Sequence, residues 1–132
     1  AAGECDVALA NTYYLGGMSN SSDDAEKQAA AKVAVFWPDA KTTGVHVNVS
    51  GAGITAHARN RDHAIKLLEF MAGDAAQRWY AETNNEYPVN PAIPPSATLK
   101  AWGEFKADTL NVAKLGELNA AAVQLMDRAG WK

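Results

Sequence analysis

The sequence predicts an α/β protein, and three observations carry that prediction. The stretch "GVHVNVSGAGITAHA" places Val45, Val47 and Val49 on one face and His46, Asn48 and Ser50 on the other, the two-residue period of a strand. Two segments repeat apolar residues at helical spacing: Ala64, Leu67, Leu68 and Met71, then Leu115, Leu118, Ala122, Leu125, Met126 and Ala129. Short apolar runs at 5–10 and 33–37 end at the turn formers Asn11-Thr12 and at Pro38, as buried strands do.

In chain order, the run at 5–10 is expected to be a short buried strand. Asn11 or Thr12 then caps a short helix carrying Tyr13, Tyr14 and Leu15, stopped by Gly16-Gly17. "SNSSDDAEKQAAAK" offers Ser22 as a cap, acids in the first turn and an alanine-rich continuation, which suits a short helix or a solvated loop. Gly51 and Gly53 mark a bend or a close backbone approach at the end of the alternating strand, and a strand polar on one side and glycine-bent at its end often lines a cleft.

Two helices follow. Asn60 caps the first, which runs to Gly73; Asp74 with Gln77 makes a capping-box-like start for the second, which carries Trp79 and Tyr80. "NNEYPVNPAIPP" cannot be helical, because Pro88, Pro91, Pro94 and Pro95 interrupt it. Tyr87, Val89 and Ile93 give that crossing something to bury. The last helix is closed by Gly130.

Composition narrows the function. The chain has 132 residues, 48% of them hydrophobic, enough for a core. The formal charge is -3, and no basic cluster exceeds Arg59-Asn60-Arg61, which argues against nucleic acid as a partner. No apolar run approaches the roughly 20 residues of a membrane-spanning helix. No signal peptide is visible, and "AAGECDVALA" opens on a strand-like run, as a chain beginning in the middle of something would. Cys5, the single cysteine, cannot form an internal disulfide and reads as a small buried hydrophobe; a reactive thiol or a partner outside the chain are the other readings.

Few residues carry chemistry. His46, His57 and His63 share no metal-ligand spacing, and His63 falls in the first turn of a helix. No G-x-S-x-G elbow or complete G-x-G-x-x-G loop exists, so no enzyme is expected. Asp23-Asp24 and Glu82/Glu86 read as solvated charges. Tyr13 and Tyr14 remain. A phenolate is a hard anionic oxygen donor suited to a highly charged cation such as Fe(III), and a turn of backbone is needed to aim two neighbouring phenols at one ion. Adjacent tyrosines also simply pack, and spacing alone leaves both readings open.

"GECDVALANTYYLGGM", "GVHVNVSGAGITAHARNRDHAIKLLEFMAGDAAQRWYAE" and "NEYPVNP" together resemble the periplasmic ferric-ion-binding proteins, the substrate-binding components of bacterial iron(III) ABC transporters. The resemblance implies a periplasmic-binding-protein-like fold (type II, two-lobed), present here only as a C-terminal portion. It implies Tyr13 and Tyr14 as phenolate ligands to Fe(III), and Asn11 as a group that helps hold a synergistic anion such as carbonate or phosphate where one is used. Tyr87 belongs to the "EYPVN" signature and reads as structural.

The resemblance further implies that residues 1–43 and 95–132 belong to the C-terminal lobe and 44–94 to the N-terminal lobe. The remaining ligands would come from the N-terminal portion of the same protein, without which iron affinity falls far below that of an intact cleft. An inner-membrane ABC permease is the implied receiver, in the periplasm. The other readings are a two-lobed binding protein for an organic or oxyanion solute, and a stand-alone interaction domain.

Overall fold

The computed structural model describes residues 3–131. The opening at Ala1-Ala2 and the final Lys132 lie outside them. The described residues form two compact units, one of 3–37 with 48–104, the other of 38–47 with 105–131.

The larger unit is helical. Helix α1 (Thr12–Ser19) packs against α2 (Asp24–Ala30). Helix α3 (Arg61–Ala72) meets α4 (Asp74–Trp79) at Gly73, whose extended backbone (φ -78, ψ 163) makes the corner. A single π-type turn, Tyr80–Asn84, continues α4 and touches both α1 and α5 (Ala97–Ala101). The core of this unit is small: Ala30, Ala76, Ala81, Ile93 and the fully buried Leu99.

Two buried polar side chains tie the unit together. Gln77 donates from Nε2 to the Met71 carbonyl (2.9 Å) and accepts from the Val89 N–H (2.8 Å). It therefore anchors the proline-rich crossing and does not form the expected capping box with Asp74, whose carboxylate accepts from Asn90 Nδ2 at 2.9 Å. The crossing is ordered as expected: Ile93 is buried, and the Tyr87 hydroxyl donates to the Leu99 carbonyl at 3.3 Å. Asn85 is buried in the left-handed region (φ 56, ψ 39), which asparagine tolerates better than most residues. Its Oδ1 accepts from Asn20 Nδ2 at 3.1 Å.

In the smaller unit, Val45 is buried and pairs in parallel with Ala107; its N–H donates to the Lys106 carbonyl and its carbonyl accepts from the Asp108 N–H, both at 2.8 Å. Gly44 makes the approach possible, since its φ of 105 and the 2.7 Å from a built Cβ to the Ala107 carbonyl carbon leave no room for a side chain. Helix α6 (Ala113–Ala129) ends at Gly130 (φ 67), as its spacing predicts, and none of its residues is buried.

The expected strands differ most from the structure. Residues 5–10, 33–37 and 46–50 belong to no ladder, and the Val45–Ala107 bridge is the one recorded among the described residues. An extended segment becomes a strand only when another backbone supplies its hydrogen bonds. Here none does, so Val7 and Phe36 stand in solvent, and Cys5 is exposed instead of buried. Gly51 and Gly53 face open space where a Cβ would stand, so neither marks a close approach. Helix α1 runs straight through Gly16-Gly17, because Gly16 serves a contact and does not stop the helix; α2 is capped by Asp23, whose Oδ1 accepts from the Ala25 N–H at 2.7 Å, and not by Ser22.

Candidate functional site

Helix α1 begins one residue before the tyrosine pair, so Tyr13 and Tyr14 leave its first turn as near neighbours. Their rings lie 4.5 Å apart, tilted by 50°. Tyr13 is 37% exposed and Tyr14 61%, far more than packing rings would be. Two phenol oxygens thus stand together at the start of a helix, in reach of solvent and of any cation it carries.

Asn11 is the N-cap residue of α1, yet its side chain makes no capping bond. A cap amide ordinarily accepts from the second or third backbone N–H of the helix, worth ~1 kcal/mol. Asn11 instead donates from Nδ2 to the Tyr13 hydroxyl oxygen at 3.2 Å, while its Oδ1 accepts from Asn48 Nδ2, also at 3.2 Å. The cap is diverted to the phenol.

A cleft of about 370 Å³ opens beside this network, lined by Tyr13, Asn48, Ser50, Asn84 and Glu86. Asn48 and Ser50 come from the polar face of the alternating segment, so its expected cleft-lining role holds although its ladder is absent. Glu86, read from sequence as solvated, is half-buried in the cleft wall. The Tyr13 phenol is raised above its ordinary value. Its hydrogen bond with Tyr14 is the main cause, with desolvation, the charge of Tyr14 and the Glu86 carboxylate adding to it; the Asn11 amide opposes them. Without a cation, then, Tyr13 holds its proton more firmly than a free tyrosine. A bound multivalent cation reverses that balance, because its own charge is the largest in such a site.

Among the described residues no three His, Cys, Asp or Glu side chains cluster as a metal-binding set. His46, His57 and His63 are all exposed, and none lines the cleft. Oxygen donors therefore dominate the chemistry here: two phenols, one carboxylate, amides and a hydroxyl, a hard donor set fitted to a hard cation. Sequence reading missed Glu86 and the Asn11–Asn48 bond. The alternation of 45–50 was the only signal for Asn48, and nothing local marks Glu86.

Residues 7–107 match the family model of bacterial extracellular solute-binding proteins. The chain is 47% identical over 134 residues to iron uptake protein A2 of Synechocystis sp.. It superposes with a TM-score of 0.88 on a Trichodesmium protein (IdiA, FutA) in complex with iron and citrate ligands, at 46% identity over 94% of the chain. A ferric binding protein from Campylobacter jejuni superposes equally, TM-score 0.88, at 31% identity over 94% of the chain. The chain spans 39% of the length of each of these three relatives. The superpositions bear out the periplasmic-binding-protein-like fold class, of which this chain forms a part.

Proposed function

The chain belongs to the family of bacterial extracellular solute-binding proteins, and from that membership we propose that it is part of a periplasmic Fe(III)-binding protein in which Tyr13 and Tyr14 ligate the ion as phenolates. The observation that carries the reading is the exposed pair of phenol oxygens on the first turn of α1, one of them bonded to a diverted N-cap amide. The names of the relatives, iron uptake protein and ferric binding protein, support the cargo.

The role is capture and release without chemical turnover. Each phenol gives up a proton as the ion binds, and Fe(III) supplies the charge that makes this favourable. In the whole protein, residues 1–43 and 95–132 belong to the C-terminal lobe and 44–94 to the N-terminal lobe. The octahedral shell is completed by groups from another portion of that protein and, where one is used, by a synergistic anion such as carbonate or phosphate. Asn11 has a second N–H beyond the one given to Tyr13, and this is the group offered to that anion. The loaded protein delivers its ion to an inner-membrane ABC permease.

Addition of Fe(III)-citrate, followed in the visible spectrum, tests this directly. A phenolate-to-iron charge-transfer band that a Tyr13→Phe/Tyr14→Phe double variant lacks is the expected result. A colourless protein, both as this chain and as the two-lobed whole, would sink the iron reading. It would favour an organic or oxyanion solute held by the cleft's amides and hydroxyl.

A further inference from the structure

We infer that Asn48 is a positioning residue for the tyrosine pair: it orients the Asn11 amide so that an N–H, and not a carbonyl oxygen, faces the Tyr13 oxygen. The inference rests on the Fe(III) reading above and adds a role for a residue well outside the tyrosine motif.

The argument is one of donors and acceptors. A primary amide can be turned about its last torsion to present either oxygen or NH₂ to a given neighbour, and only its other partner decides which. Asn48 Nδ2 donates to Asn11 Oδ1 at 3.2 Å, which gives that oxygen a partner away from the phenol when Asn11 Nδ2 faces the Tyr13 hydroxyl at 3.2 Å. The choice matters for a ligand. A phenolate bound to a metal has no proton to donate, so it accepts a hydrogen bond from NH₂ and is repelled by a carbonyl oxygen. Asn48 therefore supplies the donor that the orientation suited to the ligated form requires.

Its own position suits this role. It stands on the extended segment 46–50, is exposed, and takes part in no backbone ladder, so its side chain carries no evident share of the unit's packing. The diverted cap points the same way: Asn11 forgoes a helix-stabilising bond to keep this geometry. Partners that orient metal ligands in this manner alter metal affinity by about 10–100-fold when removed.

Two replacements separate the alternatives. Asn48→Ala removes the constraint on Asn11. Asn48→Asp offers an acceptor where a donor stood, which turns the Asn11 amide and brings its oxygen to Tyr13. Both are read by Fe(III)-citrate titration of the two-lobed protein, through affinity and through the energy of the charge-transfer band. A phenolate that loses a hydrogen-bond donor holds its electrons less tightly, so the band moves to longer wavelength. The expected order is wild type, Asn48→Ala, Asn48→Asp, with affinity falling about tenfold at the last step. In an Asn11→Ala background both effects disappear, because Asn48 then has nothing to orient.

A wild-type band that neither replacement moves would overturn the role of Asn48 and leave the tyrosine reading intact. Shifts that persist at full size in the Asn11→Ala background would also overturn it, since Asn48 would then act on the cargo directly. Absence of any band in the wild type sinks both readings together. Circular dichroism of each variant confirms that the fold is kept.

Discussion

Gly16 and Asn85 touch so closely that a Cβ built on Gly16 would fall 2.5 Å from Asn85 Cγ and 2.6 Å from Asn85 Cβ. This contact seats α1 against the end of the π-type turn. Because Glu86 follows Asn85 directly, it also brings that carboxylate to the cleft that Tyr13 lines. Gly17, one position on, faces open space.

The two glycines should respond oppositely to alanine. Gly16→Ala forces a clash at the root of the Asn85 side chain and should cost about 1–3 kcal/mol. Gly17→Ala gains helix propensity and should stabilise by up to ~1 kcal/mol. Urea unfolding of the two variants checks the contrast. Asn85→Gly, which keeps the left-handed backbone and removes the clashing atoms, should rescue part of the Gly16→Ala loss. Equal effects at both positions would rule out the contact as the cause.

Gln77 is the second anchor. Replacing it with methionine keeps its bulk but leaves the Val89 N–H and the Met71 carbonyl without their partner. Buried polar groups left so cost about 1–3 kcal/mol each. The variant should lose roughly that much stability in chemical denaturation, and the crossing 86–95 should gain amide exchange. A loss below about 0.5 kcal/mol, the usual span for surface substitutions, would show the bonds to be dispensable.

Tyr87 predicts an alkaline limit to stability. Burial raises its phenol above the usual value near 10, because the folded state disfavours the charged form. Below that ordinary value both states hold the proton and stability is unaffected. As pH rises through it toward the folded value, the unfolded chain ionises first and stability falls. Tyr87→Phe should abolish this alkaline loss while costing ~1 kcal/mol at neutral pH through the bond to the Leu99 carbonyl. Unfolding curves on either side of pH 10 decide it; an unchanged alkaline slope in the variant would place the loss elsewhere.

With the proposed ligation, Tyr13 predicts a pH dependence of Fe(III) binding. Its phenol is raised chiefly by the hydrogen bond with Tyr14, with a contribution from Glu86, so it binds its proton more tightly than a free tyrosine. In the proposed ligation iron and proton compete for the same oxygen, so apparent Fe(III) affinity should fall as pH falls, by up to about tenfold per pH unit for each proton displaced. Glu86→Gln removes one cause of the rise and should bring the Tyr13 titration, followed by carbon NMR of labelled tyrosine, nearer to its ordinary value. If that titration does not move, the carboxylate has no electrostatic hold on the phenol.

The sequence by itself determined what depends on near neighbours. Helical spacing and a closing glycine located α6 and its end at Gly130, and α3 and α4 meet at Gly73 for the same reason: both signals lie within a few residues of what they specify. The tyrosine pair was legible too, since adjacent side chains on one turn cannot be far apart.

The tertiary structure alone decided the rest. Whether 5–10 and 33–37 become strands depends on a partner backbone, which no local pattern guarantees, and the described residues supply none. That Gly16 serves a contact and not a helix end, that Asn11 serves a phenol and not its helix, and that Glu86 faces a cleft and not open solvent all rest on residues distant in the chain: Asn85, Asn48 and Tyr13. Propensity and spacing are local quantities, whereas a site is made where distant segments exchange their last unpaired donors and acceptors.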